Sequence, residues 1–164
     1  LIFQRKVFES YGYLVVIKTK RDSRLLLVTI VLSMTLLACS DSEDSGASGR
    51  WYTKTQINAG VEIFRQNCAE CHGDSAQGLV KNWRTKDADG FFPPPPLDGS
   101  AHAWHHSQSV LLQVIDNGGE ALGGKMPAFA SVLSQSDKLA AIAYFQSFWS
   151  DEIFQQWRRM GGTN

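Results

Sequence analysis

Apolar positions recur at helical spacing in three stretches of the chain. In the first, Ile57, Gly60, Val61, Phe64 and Cys68 fall at the i, i+3, i+4, i+7 and i+11 positions that share one helix face. Thr53 and Gln56 stand ahead of that face as a capping box, with Tyr52 and Ile57 placed as a hydrophobic staple around it. In the last stretch, Ser134 is placed to cap a helix with Asp137 at its third position. Leu139 to Trp149 then contains no charged residue, so that helix is expected to be buried on nearly every side. A shorter helix is predicted around Val110 to Asp116, stopped by Gly118 and Gly119. Strand-like alternation is absent after Cys39. The pattern predicts an all-α domain with long loops.

A fourth apolar run has a different character. Leu25 to Leu37 is uncharged over 13 residues, too short to span a bilayer comfortably, and it follows the basic residues Lys18, Lys20, Arg21 and Arg24. That is the shape of an export signal, and residues 1–38 are read as one. Residues 1–17 lie ahead of the basic region, start with Leu1 rather than Met, and are read as a misplaced start without function. The run ends in Leu36-Leu37-Ala38-Cys39, which resembles the lipobox of bacterial lipoproteins and makes Cys39 the expected lipidated residue. Ser40 after the cysteine resembles lipoproteins sent to an outer membrane. Residues 39–50 are polar, acidic and glycine-containing, too poor in apolar groups to offset the entropy of ordering, and are expected to form a flexible tether. The folded domain is then expected over residues 51–164, with a short C-terminal tail.

Charge bears on partners. Six of the 16 bases but two of the 16 acids precede Cys39, so the remainder carries a net charge of −4. A mildly acidic domain gives no reason to expect a nucleic-acid partner. Cysteine usage agrees with export: with Cys39 assigned to lipid, only Cys68 and Cys71 remain.

Those two sit in Cys68-Ala-Glu-Cys71-His72, beyond the end of the first predicted helix. Two cysteines three apart can each add across a haem vinyl group while the adjoining histidine presents its imidazole to the iron, so one covalently bound haem c is expected. A disulfide between Cys68 and Cys71 would close so small a ring that it would constrain the unfolded chain little. A zinc site completed by His102 and His106 is a second alternative. The 30 residues between Cys71 and His102 far exceed the roughly 12 to 15 of a zinc finger.

The chain resembles the class I cytochromes c over roughly residues 55–150. Gly60, Phe64 and Cys68 reproduce that family's spacing of a glycine, an aromatic and the first haem cysteine, and Ile142-Ala-Tyr144-Phe145 matches its last helix. The resemblance implies a cytochrome c fold in which the N- and C-terminal helices cross at the small glycine, with short middle helices and long loops around one haem. Pro95-Pro96-Leu97-Asp98-Gly99 matches the family's proline segment, which implies that the Pro95 carbonyl accepts a hydrogen bond from the His72 ring. Gly123-Gly-Lys-Met126-Pro-Ala-Phe129 resembles its methionine loop and makes Met126 the expected sixth ligand beside His72. His102, His105 and His106 are the rival donors. The chain departs from the small family members in the 22 residues between His72 and Pro95, with Trp83 and the Lys86-Asp87-Ala88-Asp89 patch. Pro93 to Pro96 stiffen the chain into an extended run, as a brace for the haem edge or a partner site.

An iron held by two strong protein ligands has no open position for substrate, so outer-sphere electron transfer is implied. The expectation is a carrier and not an enzyme, working outside the cytoplasm with redox protein partners, as a tethered shuttle or a respiratory-complex subunit. The alternative is a ligand-binding or peroxidase-like haem protein with a labile sixth ligand.

Overall fold

The computed structural model describes residues 49–164. The expected export segment, Cys39 and most of the expected tether lie outside the described residues. Within them the order is α1 (Lys54–Asn67), α2 (Ala69–His72), a 3-10 turn (His102–His105), α3 (Gln108–Asn117), a second 3-10 turn (Glu120–Leu122), α4 (Gln135–Ser147) and α5 (Asp151–Arg159). No strand occurs among the described residues, and the fold is all-α. No helix among them is long and apolar enough to cross a membrane.

Both predicted capping boxes are present. Thr53 accepts from the Gln56 backbone while the Gln56 side chain accepts from the Thr53 backbone, and Ser134 and Asp137 do the same at α4. These bonds satisfy amide groups that the first turn of a helix leaves without partners. Ser134→Ala is expected to cost about 1 kcal/mol of stability. Chemical denaturation would check this, and an unchanged midpoint would show that the cap contributes nothing.

The most extensive packing between elements is α1 against α4. They meet where Gly60 lies on Ala140: a methyl built on Gly60 would fall 2.0 Å from the Ala140 carbonyl oxygen. Phe64 is buried one turn on, its ring 5.1 Å from that of Tyr144. Val61, placed on the same face by its spacing, is 41% exposed, so the buried stripe is narrower than the sequence suggests. Helix α4 is buried on most of its surface, as expected, but stops at Ser147, and Phe148 beyond it is exposed. Lys138 also goes under, its ammonium 2.5 Å from Asp116 at the end of α3.

Two features differ from the sequence expectation. The C-terminal residues read as a tail instead form α5, capped by Ser150, with Asp151 and Glu152 in the first turn and Arg158 and Arg159 in the last. That charge order complements the helix dipole. Phe154 and Trp157 on α5 are fully buried, and the Trp157 indole donates to the His106 carbonyl at 2.7 Å. The second feature is Arg50, placed at the end of the tether by its sequence but packed into the fold. Its guanidinium donates to the carbonyls of Gln146 (3.3 Å) and Trp149 (2.9 Å) and pairs with Asp151 at 2.8 Å. It thereby ties the chain ahead of α1 to the turn between α4 and α5.

Candidate functional site

The local geometry at Cys68 ends one helix and starts another. Cys68 caps α1 with φ −125° and ψ −36°, its amide still donating to Phe64 at 2.8 Å. The single turn of α2 follows, held by Cys71 and His72 amides that both donate to the Cys68 carbonyl. This turn brings both thiols and the imidazole to the wall of one cavity of about 540 Å³. Cys68 and Cys71 are free thiols, not a disulfide. Burial, and secondarily the neighbouring Cys71, pushes the Cys68 thiol up to about 11. A thiol so shifted is protonated at neutral pH, unlike the reactive thiolates of redox motifs.

His72 is buried, and its Nδ1 lies 2.9 Å from the Pro95 carbonyl oxygen. A carbonyl only accepts, so Nδ1 carries the proton and Nε2 keeps its lone pair. Burial lowers the pKa of His72, partly opposed by the bond to Pro95, and the ring is held neutral. The loop from Gly73 to Pro95 is tied back at several points: Gly78 donates to His72, and Leu97 and Asp98 both donate to Ala76. Proline suits the site because residues 93–96 need no amide donor where they pass the ring.

Met126 lines the same cavity from the opposite part of the sequence. Its backbone is clamped on the turn after α3. The Gly119 amide donates to the Met126 carbonyl at 2.9 Å, and at Gly118, with φ +77°, a side chain would strike that same oxygen at 2.6 Å. The charged patch left unassigned by the sequence belongs here. Lys125 pairs with Asp87 at 3.3 Å and Asp89 at 2.8 Å, and Phe92 donates to Gly123, so the long loop and the methionine loop are fastened together.

All five residues expected at the site, Cys68, Cys71, His72, Pro95 and Met126, thus line one cavity. Of the rival histidines, His102 and His106 line it too, whereas His105 is exposed and stacks on Trp104 at 3.8 Å between centroids. Among the described residues no group of three or more histidine, cysteine or carboxylate side chains is placed to hold a metal ion. Sequence reasoning missed Arg84 and the apolar walls Leu111, Val114, Ile115 and Phe129. The helical spacing of Leu111, Val114 and Ile115 carried a signal for one of those walls; nothing near Arg84 did.

The family described as cytochrome c oxidase, cbb3-type, subunit III matches residues 55–145. The cbb3-type cytochrome c oxidase subunit FixP of Sinorhizobium medicae is 30% identical over 97 residues, covering 56% of this chain and 29% of that protein. The corresponding subunits CcoP of an Azospirillum species and of Rhodobacter capsulatus are 30% and 40% identical over 81 and 45 residues, covering 49% and 27% of this chain. The chain spans 25% and 15% of those two proteins, so it accounts for under a third of the length of each of the three. No solved structure matches. The expectation that the chain is not an enzyme is corrected by these relatives, which are subunits of an oxidase, an oxidoreductase assembly. The match over more than half of its length shows that the chain belongs to the family of cytochrome c oxidase, cbb3-type, subunit III.

Proposed function

We propose that the domain would hold one haem c through thioether bonds from Cys68 and Cys71, with His72 and Met126 supplying the protein donors to its iron, and would relay single electrons within a cbb3-type oxidase assembly. When bound, the haem takes up and gives up one electron at its iron. The observation that carries this reading is the His72 imidazole, held neutral with Nδ1 on the Pro95 carbonyl, in a cavity that Cys68, Cys71 and Met126 also line. The donor set fits the group: a neutral ring nitrogen, a soft thioether and two free thiols, in a cavity walled over most of its extent by apolar side chains.

Each residue has a role in this account. His72 donates through Nε2, and the bond to Pro95 fixes the ring's tautomer and orientation and raises its basicity. Met126 supplies a neutral sulfur that favours the reduced metal, and Gly118 and Gly119 hold its loop in place. Phe129, Phe145 and Leu111 keep water from the site. In the same proposal residues 1–38 export the chain, acylated Cys39 tethers it to a bacterial membrane facing the periplasm, and its partners are the neighbouring redox proteins.

Met126 is the point at which the reading is tested. The oxidised protein is expected to show the weak near-infrared band of methionine bound to ferric iron, and Met126→Ala should abolish it and open the reduced iron to carbon monoxide. A wild type that lacks the band and binds carbon monoxide would instead have a labile sixth position, and the electron-relay assignment of Met126 would fall.

A further inference from the structure

The cavity is not uniform. Its walls are apolar over most of their extent, but one face is made by Trp83, Arg84, His102 and His106, and no aspartate or glutamate lines it anywhere. Trp83 organises this face. The His102 ring stacks on it with centroids 4.9 Å apart at 16°, and the Arg84 guanidinium lies 4.2 Å from its centroid. Arg84 has no carboxylate partner among the described residues, whereas Lys125, the other lining cation, is already paired with Asp87 and Asp89.

His102 adds a second observation. Its Nδ1 is buried with no hydrogen-bond partner. A nitrogen so placed costs least as a bare lone pair, because a buried N–H without an acceptor loses its full hydration. The ring proton therefore sits on Nε2, and His102 offers one neutral N–H. Burial first, then the charges of His106, Arg84 and His105, holds its pKa below the ordinary histidine range. The face thus presents an unpaired cation, a neutral donor and no acid, which suits an anionic group on whatever fills the cavity.

Resting on the haem reading above, we propose that this face is the seat of the haem's carboxylate side chains, with Arg84 supplying the compensating charge and His102 Nε2–H a hydrogen bond. Carboxylates placed against the apolar walls, among Val114, Ile115 and Phe129, would lose hydration with nothing in return. The arrangement also sets the electron affinity of the site. Compensation of the carboxylate charge by Arg84 favours the reduced state, and its removal favours the oxidised one.

The test uses the haem-loaded full chain and the variants Arg84→Gln, Arg84→Lys and His102→Phe, each checked first for covalent haem content. Two quantities are read: the propionate-bending band in resonance Raman spectra, and the ratio of reduced to oxidised protein at a fixed applied potential at pH 7. Arg84→Gln should shift the band and lower the ratio on the order of tenfold, the Coulomb effect of one charge at an effective dielectric of about 20. Arg84→Lys keeps the charge and should hold the ratio within about threefold of wild type. His102→Phe keeps the stack on Trp83 and removes the donor, so the band should move while the ratio stays within about threefold. Band and ratio unchanged in Arg84→Gln and His102→Phe at wild-type haem content would overturn the seat and leave the haem reading standing. A wild type without covalent haem overturns both.

Discussion

Gly60→Ala is expected to destabilise the domain by about 3 kcal/mol, the upper end of the usual range for overpacking. In an exposed helix the same change would stabilise by up to about 1 kcal/mol, because alanine is the better helix former, so the sign itself is diagnostic. The reversal is expected here because the added methyl would meet main chain. It would lie 2.0 Å from the Ala140 oxygen and 2.7 Å from its carbonyl carbon, with Tyr144 Cβ at 2.9 Å. None of these is the free end of a flexible side chain. Helix α1 would have to move away from α4, and with it Phe64 and the Cys68 turn that carries the site. Equilibrium denaturation monitored by circular dichroism measures the effect, and a variant as stable as wild type would mean that the helices do not cross at Gly60.

The second large effect concerns attachment. The double variant Cys68→Ala with Cys71→Ala is expected to lose covalent haem altogether, while the wild type keeps one haem per chain through denaturation and acidic organic extraction. Loss should extend beyond the cofactor. His72 and Met126 line a cavity of about 540 Å³ whose apolar lining would, on the proposed function, find its packing partner in the macrocycle. Helix content is therefore expected to fall with haem content, since a ligand that binds only the folded state stabilises it by mass action. Haem that extracts freely from the wild type would overturn the thioether assignment.

Much of the site was legible because its chemistry is local. Cys68, Cys71 and His72 occupy five consecutive residues, and one turn of helix is enough to set them on the same wall. The capping boxes at Thr53 and Ser134 were legible for the same reason: a cap joins groups three residues apart. Helix α5 also carried local signals, in Ser150, the acidic first turn and the basic last turn, which the reading of a tail passed over. Ile153, Phe154 and Trp157 also recur at the i, i+1 and i+4 positions of one helix face.

What the residues alone determined, then, was an all-α domain, the position of its main helices, and a haem-type motif. The tertiary structure decided the rest: that Arg50 reaches the turn after α4, that Lys138 is buried against Asp116, and that Trp83 brings Arg84 and His102 to one face. Every residue carries a carbonyl and most carry an amide, so no side-chain pattern marks which of them will be called on as partner. A cation's burial or exposure depends on where a distant acid lands once the loops have closed. Local periodicity sets which groups a helix presents, and only the packing of those helices selects what each group meets.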